Sequence, residues 1–205
     1  MDKNSPAILV GDTLGLDFLN SVATPAANMP VDWIKDGDGL LRWLEQAKMV
    51  PRETLDAIRS QAATGELDKV ADEAGKLREW FRTFVLKYKG KPLPAGAIAE
   101  LEPINRLLEH DEAYGRIVPQ KHGKGLELRF MRKWRSSEAL LLPIGEALGR
   151  FLCTEDFSNV KACEGPHCTL LFVDHTRGHR RRWCSMALCG NRAKQAAHRN
   201  RLRQV

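Results

Sequence analysis

The sequence predicts an α+β fold. A mostly helical N-terminal domain with a small antiparallel sheet occupies residues 1–157, and a small cysteine-rich module occupies residues 158–205. Three observations lead there. Apolar residues recur at steps of three and four through most of the first half of the chain. The period changes to two between Leu126 and Trp134. Four cysteines then occur as two close pairs, Cys163-x4-Cys168 and Cys184-x4-Cys189, with fifteen residues between them.

Taken in order, Ile8 to Val10 reads as a short strand, and Leu14 to Leu19 as a turn entering a helix. Asp17 and Asn20 interrupt that apolar run. Capping or turn hydrogen bonding is their ordinary use, and a small polar site is the alternative. A helix is expected from Leu40 to Met49, with Leu40, Leu41, Trp43, Leu44 and Ala47 inward. Another runs from Pro51, which suits a first helical turn, to Ala63. Gly65 breaks the pattern. Leu67, Val70, Ala74, Leu77, Phe81, Phe84 and Tyr88 then mark one face of a long helix ending at Gly90. Beyond the loop Lys91 to Pro94, a helix from Ala95 to Glu109 is bent or split by Pro103. Tyr114 to Pro119 and Leu126 to Trp134 form a hairpin around His122-Gly123-Lys124-Gly125, with Leu126, Leu128 and Phe130 expected on a buried face. Leu140 to Cys153 returns to a helical period, with Cys153 expected in the core. The domain boundary falls near Asp156 to Lys161.

The formal charge of +6 is unevenly distributed. Residues 160–205 hold ten Lys/Arg against two Asp/Glu, so they carry +8 and the first 159 residues carry −2. Polyanions should therefore be attracted to the C-terminal module alone. No stretch approaches the roughly twenty apolar residues of a membrane span, and the N-terminus lacks a signal-peptide pattern. A cytoplasmic protein with no membrane partner is expected. Thiols stay reduced there, which favours metal over disulfides for the clustered cysteines.

Each cysteine pair lets one tight turn point two thiolates at one ion, so Cys163, Cys168, Cys184 and Cys189 are the expected ligands of one structural zinc. His167 is a competing ligand, and an iron–sulfur cluster is disfavoured by the spacing. Thr169 to Val173 reads as a strand, Asp174 to His179 as a tip, and Arg180 to Trp183 as the return strand. Ser185 caps a helix that starts near Ala187 or Asn191 and runs to Leu202. Knuckle, hairpin and ligand-bearing helix make a treble-clef-like zinc finger. Such a small module depends on its metal for folding. Four thiolates close the coordination shell, and the N-terminal domain shows no nucleophile–base pair, phosphate loop or ligand cluster, so no enzyme is expected.

The terminal helix is slim and basic. Arg192, Arg199 and Arg203 share one face, and Lys194, His198 and Arg201 a second. Arg180, Arg181, Arg182, Asn191, Arg192, Lys194, Arg199, Arg201 and Arg203 are the candidate contacts to duplex DNA. Such a helix fits the major groove, where arginine reads guanine. Asn191 has two readings, a helix cap or a base contact.

The run Arg181-Arg182-Trp183-Cys184-Ser185-Met186-Ala187-Leu188-Cys189-Gly190-Asn191-Arg192-Ala193-Lys194 resembles the signature of the CGNR zinc-finger family, and Cys163-x4-Cys168 with Phe172-Val173-Asp174 fits the same pattern. The stretch Leu14-Gly15-Leu16-Asp17-Phe18-Leu19-Asn20-Ser21 resembles part of that family's companion domain, called ABATE. The resemblance implies a bacterial, stress-responsive transcriptional regulator with zinc on the four cysteines and DNA contact through the finger. The N-terminal domain would sense a small-molecule effector, form a homodimer, or both. The alternative is an interaction module whose finger docks RNA or an acidic protein.

Overall fold

The computed structural model of the chain describes residues 5–25, 29–121 and 123–202. His122 of the expected hairpin turn and Arg203 of the expected DNA contacts lie outside these residues. The helices in order are α1 (Leu14–Leu19), α2 (Gly37–Gln46), α3 (Arg52–Gln61), α4 (Glu66–Tyr88), α5 (Glu102–Glu109), α6 (Leu142–Thr154) and α7 (Asn191–Leu202). Three two-stranded antiparallel sheets pair β1 (Val22–Ala23) with β2 (Val31–Asp32), β3 (Ala113–Pro119) with β4 (Leu126–Arg132), and β5 (Val160–Ala162) with β6 (Leu171–Val173). None of the described helices is long and apolar enough to cross a membrane.

The long helix carries the core as its periodicity requires. Val70, Ala74, Phe81, Phe84 and Tyr88 are buried on one face of α4, with Leu67 and Leu77 packed at the margin. Phe81 meets Phe151 of α6 edge-on at 5.8 Å, and Phe84 meets Phe157 in the same way at 6.1 Å. Each fully buried aromatic contributes about 1.5–3 kcal/mol from burial alone. Helix α1 is only six residues long, yet Leu16, Phe18 and Leu19 are wholly buried between α6 and α4. Asp36, not Leu40, opens α2: its carboxylate accepts the Gly39 N–H at 2.8 Å, so the helix begins three residues earlier than the apolar pattern suggests. The expected helix from Ala95 to Glu109 is split, with a 3-10 turn over Ala95–Glu100 and Pro103 in the first turn of α5.

Four expectations fail. Ile8 to Val10 is extended but unpaired rather than a strand. Cys153 is exposed, because α6 turns that position to solvent in its last turn. Leu126, Leu128 and Phe130 are exposed: alternation puts them on one face of the β3–β4 ribbon, but no other element covers that face. Arg180 to Trp183 forms no return strand. β6 pairs instead with β5, on the N-terminal side of the first cysteine pair, in the register Val160↔Val173 to Ala162↔Leu171.

Asp17 is buried, and it accepts the Gly11 N–H at 2.8 Å. Desolvation outweighs that hydrogen bond and pushes its carboxyl up to about 6. A raised carboxyl favours the fold at low pH. The contribution is full below about pH 4, where the unfolded group also protonates, and is lost as pH rises through about 6. Asp17→Asn can keep the Gly11 contact without burying a charge. Relative to wild type, the variant should gain about 2 kcal/mol between pH 4.5 and pH 8. Urea unfolding at the two pH values measures this, and a pH-independent difference would refute it.

Candidate metal centre and nucleic-acid interface

The first cysteine pair sits on the turn between β5 and β6. Cys168 N–H bonds the Gly165 carbonyl at 3.0 Å, and His167 adopts φ 61°, which reverses the chain. At Gly165 a Cβ would stand 2.8 Å from Cys189 Sγ, so only glycine lets this knuckle close against the second pair. Ser185 caps the second pair as expected, its hydroxyl accepting the Leu188 N–H at 3.0 Å. One π-turn, Met186–Gly190, then runs straight into α7. Asn191 is already helical and exposed, and does not act as the cap.

The four cysteine sulfurs lie within 4.8 Å of one another, and those of Cys184 and Cys189 are 3.7 Å apart. A tetrahedron with zinc–sulfur bonds of about 2.3 Å has edges of about 3.8 Å, so the arrangement fits one zinc. His167 is not part of this cluster. Cys163 Sγ accepts the backbone N–H groups of Gly165 at 3.4 Å and Cys184 at 3.3 Å, which suits a thiolate. In the metal-free thiols, the Cys168 thiol beside it and burial push Cys184 strongly upward, and burial pushes Cys189 up to about 12. The site therefore exchanges protons for metal, and zinc affinity should weaken as pH falls.

The finger is fastened to the N-terminal domain. Asn20 of the α1 C-cap exchanges two hydrogen bonds with the Leu171 backbone, at 2.8 and 2.9 Å, as a paired strand residue would. The Val173 N–H reaches the Gly11 carbonyl at 3.2 Å, and Thr169 Oγ1 accepts the Thr24 N–H at 2.8 Å. Leu170, Leu171, Phe172 and Val173 enter the same buried cluster as α1 and α4. Asp17 and Asn20 thus do turn and pairing work, and Asn20 does it across the boundary between the two parts of the chain.

Asp174 organises the tip. It is fully buried, and burial raises its carboxyl. The Lys161 ammonium at 2.7 Å, the Thr176 hydroxyl and amide, and the Arg181 amide at 2.9 Å outweigh that and hold it well below the usual carboxylate range.

The three consecutive arginines have different fates. Arg181 is turned inward. Its guanidinium bonds the Trp183 carbonyl at 2.9 Å, the Cys184 carbonyl and the Asp12 carboxylate, and stacks over Phe172 at 4.2 Å. Arg182 is mostly exposed, pairs with Glu164 at 2.6 Å and stacks on Trp183. Arg180 is exposed, and together Arg180 and Arg182 line an open groove of about 680 Å³ beside Trp183, Ser185 and Met186. On α7, Arg192, Lys194, Arg199 and Arg201 are all exposed, no residue of the helix is buried, and none is acidic. The structure thus brings the four predicted ligands together and gathers most of the predicted basic contacts nearby, while Arg181 serves the fold.

Two family profiles match the chain. A family profile described as "Putative stress-induced transcription regulator", ABATE, matches residues 12–155, and one described as "CGNR zinc finger" matches residues 159–202. No curated protein matches the sequence. With the first match covering most of the chain and the second lying over the four-sulfur cluster, the chain belongs to the ABATE family and carries a CGNR zinc finger with one structural zinc.

Proposed function

We propose that this protein is a zinc-dependent, DNA-binding transcriptional regulator of bacteria, in which the finger presents α7 to duplex DNA. The observation that carries the reading is α7 itself: four exposed cations, no acid and no buried side chain on a helix that starts at the metal site. A helix that carries four exposed cations and no acidic residue of its own is an electrostatic footprint for a polyanion. At twelve residues it spans about 18 Å, enough to lie in a major groove. Arg180 and Arg182 flank its start and would add phosphate contacts. Asn191, exposed at the head of the helix, would contact a base edge. Four thiolates leave no open coordination position, so the zinc has an architectural role.

Two charge-reversal variants test each helix face. Arg192→Glu with Arg199→Glu changes one face, and Lys194→Glu with Arg201→Glu the other. Reversal on the face that meets DNA should weaken duplex binding by about a hundredfold and flatten its salt dependence. Fluorescence anisotropy of a labelled duplex across a salt series reads both effects. Unchanged affinity in both variants would remove the helix from the function. Tighter binding to structured RNA than to duplex DNA would favour the interaction-module alternative.

A further inference from the structure

The β3–β4 ribbon exposes a face that water alone does not suit. In the pairing register, Ile117 stands opposite Leu128, Gly115 opposite Phe130, and Pro119 opposite Leu126. All six lie on one side of the ribbon by strand alternation. Phe130 is 74% exposed, Leu126 70%, Ile117 69% and Leu128 61%. That face carries no charge between its base at Arg132 and its tip. The charged residues Arg116, Glu127 and Arg129 fall on the other side. The ribbon is anchored at its base, where Arg132 forks onto Asp111 at 2.7 and 2.6 Å and reaches Glu146 at 2.9 Å. A two-stranded ribbon without a covered face is marginally stable in water. An apolar cluster of this kind marks an interaction surface.

We infer that this face is the interface of a homodimer, in which the ribbons of two copies pack face to face about a two-fold axis. Three observations select a second copy as the occupant. The face is apolar and uncharged, so it complements a second copy of itself and offers nothing to a nucleic acid or an acidic peptide. Of the other large apolar side chains exposed among the described residues, Leu14, Met29, Leu86, Ile98, Met186 and Leu202 fall on six different segments, and Tyr114 and Met131, only 38% and 37% exposed, pair on the reverse face of the ribbon. A head-to-tail contact would need a second apolar patch of comparable size, so an isologous contact is the one this chain can make. The area also suffices. At about 200 Å² for each large apolar residue, the four side chains expose on the order of 500 Å² per copy. Two copies reach the roughly 1,000 Å² that a specific interface must clear, the size of a reversible dimer. The dimer does not depend on DNA binding. Its consequence does: two fingers related by a two-fold axis would read paired half-sites.

The test is the mass of the zinc-loaded, full-length protein without DNA, by sedimentation velocity from about 1 to 100 μM. Wild type should be a dimer over most of that range. Ile117→Glu with Leu128→Glu places like charges across the axis and should weaken association by more than about a hundredfold, leaving a monomer. Both side chains are exposed, so circular dichroism should match wild type, while the melting temperature should fall only as far as the lost association and the facing Glu pair require. The milder Phe130→Ser, which introduces no charge, should weaken association in the same direction. Monomeric wild type at the top concentration would overturn the inference, as would variants that stay dimeric. Because no DNA is present, either failure leaves the DNA-binding reading standing on its own test.

Discussion

Cys184→Ser, or chelation of the zinc, should cost the finger its fold. Structural zinc sites of four thiolates supply about 10–16 kcal/mol of apparent binding free energy at neutral pH, far more than a module of this size gains from its own core. The loss should not stay local. Leu170 to Val173 fill part of the core shared with α1 and α4, and Asn20 and Gly11 would lose their partners on β6. Calorimetry of zinc-loaded and chelated protein should therefore show a large drop in melting temperature for the whole chain. His167→Ala, by contrast, should melt like wild type, because His167 lies outside the four-sulfur cluster. Equal losses in the Cys184 and His167 variants would contradict the four-cysteine centre.

Arg181→Ala should destabilise the protein by about 3–5 kcal/mol, the cost of breaking a partly buried charge network by removing one member. The substitution would strand the Asp12 carboxylate and the Trp183 and Cys184 carbonyls, and would uncover Phe172. Arg181→Lys should recover only part of the loss, since an ammonium cannot reproduce the fork or the stacking. Arg182→Ala, in which an exposed pair is lost, should change stability by less than about 1 kcal/mol. Urea unfolding of the three variants ranks them. If the Arg181 and Arg182 variants proved equally stable, Arg181 would return to the set of candidate phosphate contacts.

The metal site was legible in the sequence because ligand chemistry dictates spacing: two thiolates on one ion need a tight turn, and two pairs need an excursion that returns. The long helix was legible for a similar reason, since its apolar period is set by its own geometry. Strand pairing in the finger was not. Thr169 to Val173 announces a strand but not its partner, and Val160 to Ala162 claims β6 before Arg180 to Trp183 can. The role of Arg181 was also hidden. In sequence it is one of three arginines, and only the fold brings Asp12, 169 residues away, under its guanidinium. Asn20 left a fainter trace, a polar residue at the end of an apolar run, without indicating that its partner would be Leu171. The exposed ribbon shows the limit of periodicity. Alternation reports which side chains share a face, whereas burial depends on whether another element, or another molecule, comes to cover it.

In the proposed function, a zinc-ordered finger reads duplex DNA through α7. Selection of bound sequences from a random duplex library tests it most directly, using zinc-loaded full-length protein at about 0.15 M salt. The predicted result is an enriched motif that disappears on chelation and with reversal of the contacting face of α7. Retention of DNA with no enriched sequence, or enrichment that survives the loss of zinc, would contradict it.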